Sequence, residues 1–134
     1  MKILLDTHVL IWALQNNPKL PYDIIELIVD PHNDVYVSAT SIWEIAIKNQ
    51  KLPHEMPYSA KDIVNYATIA GYYFLSMNID HAVMYNEIAY KEGMKVNRDP
   101  FDKMLVTQAK TNGMRLLTHD SLMGCFAEDC IINF

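Results

Sequence analysis

No apolar run in this chain approaches the roughly 20 residues that a membrane-spanning helix requires, so such a helix is excluded as an organising element. There are only two cysteines, Cys125 and Cys130. Their spacing fits neither a zinc knuckle nor a thioredoxin-type pair, and both read as buried thiols. Internal repeats, low-complexity tracts, blocks of like charge and linkers are all missing, so residues 1–134 read as one domain with room for a real core. A leader pattern is missing too: Lys2 to Leu5 reads as a strand at once, and a cytoplasmic location is the expectation. Basic residues are also in deficit, 11 Lys and Arg against 16 Asp and Glu, for a net charge of −5. That balance lacks the basic footprint usual for nucleic-acid binding. Its distribution softens the objection. Between Lys91 and Arg115 six basic residues face three acidic ones, a local +3, so the remainder carries −8.

What is present is a globular composition, 51% hydrophobic and 20% charged, in which apolar runs alternate with amphipathic ones. Strands are predicted over Lys2–Leu5, Val35–Ser38, Tyr72–Met77, Arg115–Thr118 and Ile131–Phe134. Helices are predicted from Thr7 to about Gln15, from Pro21 through Ile28, and from Ser41 to about Gln50. Further helices run from Ser59 towards Gly71, from Ile79 or Asp80 to Lys91, from Pro100 to Asn112, and, shorter, over Ser121–Glu128. This alternation favours an α/β fold, a parallel sheet with helices on both faces.

Five acids then fall where a strand ends or a helix begins: Asp6, Glu44, Asp99, Asp102 and Asp120. Each has a bland explanation. Asp6 or Thr7 can cap the first helix, Asp120 the short one, and Asp99 precedes a proline at the first helical position. Ser41 and Glu44 have the spacing of a capping box. Capping alone, however, would be served as well by Ser, Thr or Asn. Carboxylates recurring at the same end of successive strand–helix units gather at one rim of a parallel sheet. Such a cluster of hard oxygen ligands suits Mg²⁺ or Mn²⁺ and metal-dependent phosphoryl chemistry. Glu44 is the most telling, because it lies among Ile42, Trp43, Ile45 and Ile47, and a desolvated charge requires a cation or donor.

Neighbouring residues fill in the site. Thr7, Ser38 and Thr118 lie beside the acids and can bond to them or to a phosphate oxygen. His8 and His119 raise a zinc reading, which the absence of cysteine partners and the many carboxylates disfavour. Trp12 and Trp43, at helical spacing, read as core. Two rivals fail on specific positions. A phosphoacceptor receiver module needs paired acids after the first strand and a lysine after the last, but the chain offers Asp6-Thr7 and no lysine beyond Lys110. An aspartate-nucleophile phosphatase needs a second Asp two positions after the first, where His8 stands.

Four segments together resemble the PIN domain superfamily, and within it the VapC-type toxin nucleases. They are Leu4-Leu5-Asp6-Thr7-His8-Val9-Leu10, Ser41-Ile42-Trp43-Glu44-Ile45-Ala46-Ile47-Lys48, Arg98-Asp99-Pro100-Phe101-Asp102-Lys103-Met104-Leu105 and Leu117-Thr118-His119-Asp120. The resemblance implies a three-layer α/β/α sandwich around a central, mostly parallel, five-stranded sheet. It implies a Mg²⁺- or Mn²⁺-dependent endoribonuclease acting on RNA, a homodimer, and neutralisation by a cognate antitoxin protein. Asp6, Glu44 and Asp120 match the family's first, second and last acids. The third is Asp102 by the general pattern, with Asp99 an additional acid on the same helical face. All five are therefore expected as metal-binding and catalytic residues, with Thr7, Lys48, Arg98, Lys103 and Thr118 guiding substrate. Asn97 departs from the subgroup, which often has histidine there. The alternative reading is a PIN fold that has lost catalysis and serves only as an interaction module.

Overall fold

Strand β1 (Lys2–Leu5) is buried at its last three positions because it lies inside the sheet, with helices over both faces. The computed structural model describes residues 1–134. Around β1 are arranged β2 (Asp34–Ser38), β3 (Tyr73–Leu75), β4 (Arg115–Thr118) and β5 (Ile131–Asn133), in the order β3-β2-β1-β4-β5, every pairing parallel. The helices are α1 (Thr7–Gln15), α2 (Tyr22–Val29), α3 (Ala39–Lys51), α4 (Ala60–Ile69), α5 (Ile79–Met84) and α6 (Pro100–Thr111).

The period of two along β1 divides the core. Ile3 and Leu5 face a cluster with Val9, Leu10, Ile24, Ile28, Ile45 and Ile63, contributed by α1 to α4. Leu4 faces the opposite way, against Leu105, Val106 and Ala109 of α6, Leu116 of β4, and Met123 and Phe126. Three layers result. Each fully buried Leu or Ile contributes roughly 1.5–3 kcal/mol relative to exposure, so this two-sided burial pins the strand register.

That register positions the site. Leu4 lies opposite Tyr36 and Leu116, and Leu5 opposite Leu117. Continuing each pairing in step brings Asp6 level with Ser38 on one side and Thr118 on the other, all at the carboxyl edge. The Asp6 N–H still donates to Leu117 O at 3.0 Å, so this edge residue is tied into the ladder. The chain leaves β1 towards β2 and β3 on one side and later returns to place β4 and β5 on the other. The β1/β4 boundary is thus the switch point of the sheet, where such folds open a crevice.

Three predicted elements come out differently. Helix α3 begins at Ala39, not Ser41, because the Ser38 hydroxyl accepts from Thr40 N at 2.9 Å and caps it earlier. Ser41 and Glu44 therefore form no capping box. The long helix expected up to Lys91 stops at Met84 and tightens into a 3-10 turn over Tyr85–Glu87. Beyond it, Ile88 is buried and Tyr90 bridges antiparallel to Phe126, so tertiary packing overrides the local helical pattern. The short helix after Asp120 is a 3-10 helix over Ser121–Cys125. Of the two cysteines, Cys125 is buried and Cys130 half-buried; both are free thiols.

Candidate active site

Asp6 sits at the carboxyl end of β1 as the N-cap of α1 and is 3% exposed. Its Oδ1 accepts from Thr7 N at 2.6 Å, and its Oδ2 from the Thr118 hydroxyl at 2.5 Å. Both donors are neutral. Burial raises the Asp6 carboxyl above its ordinary pKa; the Thr118 and Thr7 bonds and nearby His8 oppose that rise, and the Glu44 charge adds to it.

Helix α6 delivers the next two acids. Asp99 caps it, its Oδ1 accepting from Phe101 N at 2.9 Å, with Pro100 at the first helical position where no N–H is needed. Asp102, one turn on, is buried, and its Oδ2 accepts from Asn97 Nδ2 at 2.9 Å. Its carboxyl is pushed up to about 7, chiefly by burial and further by the charges of Asp6, Asp99 and Asp120, while the Asn97 bond pulls the other way. Asp120 follows β4. It caps the 3-10 turn through Oδ1 and Leu122 N at 2.9 Å, and its own N–H donates to the Thr118 hydroxyl at 3.1 Å. Thr118 is therefore a hinge between two acids.

These contacts leave Oδ1 of Asp102 and Oδ2 of Asp99 and of Asp120 without a protein donor. Asp99 and Asp120 each cap with one oxygen and keep the other free, whereas both oxygens of Asp6 are bonded. As the side chains stand, no three His, Cys, Asp or Glu residues lie close enough together to share one metal ion. The donor set itself, hard carboxylate oxygens around a buried acid that no ion pair neutralises, fits a divalent ion such as Mg²⁺ or Mn²⁺.

Glu44 is the exception to that description. It is 5% exposed on α3, as its apolar neighbours implied, but its cation is built in. Lys48, four residues on, places Nζ 2.9 Å from Glu44 Oε2, and the Thr7 hydroxyl donates to Oε1 at 2.6 Å. Burial alone would lower the Lys48 ammonium; the Glu44 pair and the charges of Asp99 and Asp102 outweigh it and hold the pKa above its usual value. The cation and the donor that a desolvated Glu44 requires are thus both present, as Lys48 and Thr7. Thr7 is shared as well, with its hydroxyl 3.0 Å from Ser41 Oγ, which ties α1 to α3.

The expected substrate-guiding residues divide. Thr7, Thr118 and Lys48 are at the site. Lys103 instead lies over the rings of Tyr85 (4.4 Å) and Tyr90 (5.0 Å), a cation–π arrangement that holds α6 against the segment after α5. Arg98 is exposed beside Asp99. The basic surplus from Lys91 to Arg115 forms no single patch. Lys110 and Arg115 stand at the far, amino-terminal edge of the sheet, where Lys110 pairs with Glu128 at 3.0 Å. Trp43 is 58% exposed rather than core, edge-on to Phe101 with ring centroids 5.0 Å apart. Trp12 packs partly buried against the larger core cluster. His8 and His119 are exposed, and His119 Nδ1 contacts the Phe134 carbonyl.

Two residues escaped the sequence reading. Gln108, fully buried, accepts from the Ser38 hydroxyl at 2.5 Å and the Thr40 hydroxyl at 3.2 Å, which joins the end of β2 to α6. A glutamine beside Thr107 between the apolar Met104-Leu105-Val106 and Ala109 was the available signal. Asn97, noticed only as a departure, is 4% exposed and bonds to both Asp102 and Asp99.

Comparison with known proteins bears on the fold and the family. The chain resembles the solved structure of VapBC2 from Rickettsia felis bound to a DNA fragment from its promoter, with a TM-score of 0.70 and 14% identity over 99% of this chain and 98% of that one. It also resembles FitAB bound to an IR36 DNA fragment, with a TM-score of 0.59 and 22% identity over 98% and 94%. At those identities the likeness is one of fold. No curated protein sequence matches. A family model described as "PIN domain" matches residues 3–124, which takes in β1 through the 3-10 turn after Asp120 and all five acids, and on that match the chain belongs to the PIN domain family.

Proposed function

We propose that this protein is a divalent-metal-dependent endoribonuclease, the toxin of a VapBC-type pair. The observation that carries the reading is the gathering of acids at the switch point: Asp102 is buried in the field of Asp6, Asp99 and Asp120, its one hydrogen bond comes from the Asn97 amide, and the nearby Lys48 is ion-paired with Glu44 instead. A site arranged for folding alone would relieve that repulsion with a lysine, as it does at Glu44. Asp6, Asp102, Asp99 and Asp120 would hold Mg²⁺ or Mn²⁺. The ion supplies neutralisation of the attacked phosphate and a water of lowered pKa.

The chain's own residues orient the reaction. Thr118 fixes Asp6 relative to Asp120, and Thr7 fixes Glu44 relative to α1. Lys48, half-exposed at the edge of the acids, can meet a phosphate oxygen as well as Glu44. In hydrolysis, water oxygen attacks phosphorus and the bond to the 3′ oxygen breaks. The leaving oxygen takes a proton, giving 5′-phosphate and 3′-hydroxyl ends. Two solved complexes of the same fold, VapBC2 and FitAB, support an antitoxin partner for this chain. A homodimer is part of the same proposal, carried by the family resemblance.

The test is incubation of purified protein with labelled RNA in Mg²⁺, in Mn²⁺ and in chelator, beside the Asp6→Asn variant. Metal-dependent cleavage that Asp6→Asn abolishes, with the fold intact by circular dichroism, is the expected result. Absence of cleavage of any RNA by freshly prepared, antitoxin-free protein would leave an interaction module instead.

A further inference from the structure

We propose that Asn97 is a positioning residue that presets the acid pair Asp99 and Asp102 for a divalent cation, an inference that rests on the metal-dependent reading above. Asn97 lies outside α6, yet both ends of its side-chain amide and its own N–H are directed at the site or its supports. Its Nδ2 donates to Asp102 Oδ2 at 2.9 Å, and its Oδ1 accepts from Asp99 N at 2.9 Å. Its own N–H donates to Cys125 Sγ at 3.4 Å, in the turn that Asp120 caps. One nearly inaccessible residue thus links Asp102 and the Asp99 backbone, through its side chain, to the segment that follows the last acid, through its own N–H.

The chemistry of the side chain explains the choice. An amide carries a donor and an acceptor on one rigid plane, so it can answer Asp102 and Asp99 N together. Aspartate would add a fourth acid beside Asp102; leucine would leave both partners unmet in a buried place. Because Oδ2 of Asp102 is taken by Asn97, Oδ1 is the oxygen left to face the pocket. Fixing a carboxylate by a neighbour's hydrogen bond is how supporting residues raise metal affinity, typically by 10- to 100-fold.

The test compares Asn97→Ala with the wild-type protein by calorimetric titration with Mn²⁺, by hydrogen exchange of the Asp99 amide in metal-free protein, and by RNA cleavage across Mn²⁺ concentrations. The expected result is a variant that folds, loses protection at Asp99 N–H, and binds Mn²⁺ at least about 10-fold more weakly. Its kcat should return at saturating Mn²⁺ with KM for RNA unchanged, which a merely structural defect would not produce. Equal Mn²⁺ affinity in variant and wild type overturns the role of Asn97 while leaving the nuclease reading standing. A wild-type protein that binds no Mn²⁺ overturns both, and the wild-type titration alone reveals that case. Should Asn97→Ala fail to fold, Asn97→Ser, which keeps a short hydroxyl acceptor for Asp99 N but cannot reach Asp102, carries the same comparison.

Discussion

Two buried carboxylates at opposite edges of the sheet show how differently one fold can treat the same chemical group. At the amino-terminal edge, the Glu128 side chain is 7% exposed, and its Oε1 takes both the Lys110 ammonium at 3.0 Å and the Ala89 N–H at 3.2 Å. At the carboxyl edge, Asp102 is similarly enclosed but receives one amide hydrogen bond and no ion pair, and the charges of Asp6, Asp99 and Asp120 act on it. Glu128 is complete within the protein. Asp102 is not, and the deficit lies at the switch point where parallel sheets hold their ligands. Glu44 lies between the extremes, in the pocket yet paired with its own lysine. Burial alone is therefore no mark of a site; burial without a matching charge is.

The largest expected effect concerns Asp102. Its folded carboxyl titrates near 7 against an unfolded value near 3.8. Between those values the folded chain binds the extra proton, so stability of the metal-free protein falls as pH rises from about 4 to above 7. The raised Asp6 carboxyl acts with the same sign. Urea unfolding at pH 5 and pH 8 should show a clear loss at the higher pH, and Asp102→Asn should remove most of it while abolishing RNA cleavage. An Asp102→Asn protein with an unchanged pH slope would mean the acid is not frustrated.

Next comes Lys48. Lys48→Met strips the buried Glu44 of its cation, and the expected cost is about 2 kcal/mol, below the usual penalty for a broken buried pair because Lys48 is partly exposed. The double variant with Glu44→Gln should recover much of the loss. The smallest effect is expected at the reference edge. Lys110→Met should cost about 1 kcal/mol or less, since Lys110 is largely solvated and the Ala89 N–H still bonds to Glu128. RNA cleavage should be untouched there. A loss of activity in Lys110→Met would erase the distinction between the two edges.

Much of this was legible in the chain. The two-sided apolar run of β1 and the Asp-Pro start of α6 carry direct signals, because strand burial and helix capping are local rules. The convergence of Asp6 with Asp120 was inferable from parallel topology. The start of α3 was not, since Ser38, Thr40 and Ser41 all offer capping hydroxyls and only the end of β2 decides between them. The Glu44–Lys48 pair has the i,i+4 spacing that helices favour, a signal passed over because a metal already explained the acid. Exposure of Trp43 and the early end of α5 depend on what packs alongside, which no local pattern encodes.

The bond from Thr118 to Asp6 spans 112 positions of the polypeptide. During synthesis the first acid therefore emerges long before the strand that will hold it, and β4 must slot beside β1 before the pocket exists. A nascent chain still short of Asp120 has no assembled centre. For a protein whose proposed target is RNA, the chain is harmless to its own ribosome until β4 and Asp120 have been made and paired beside β1.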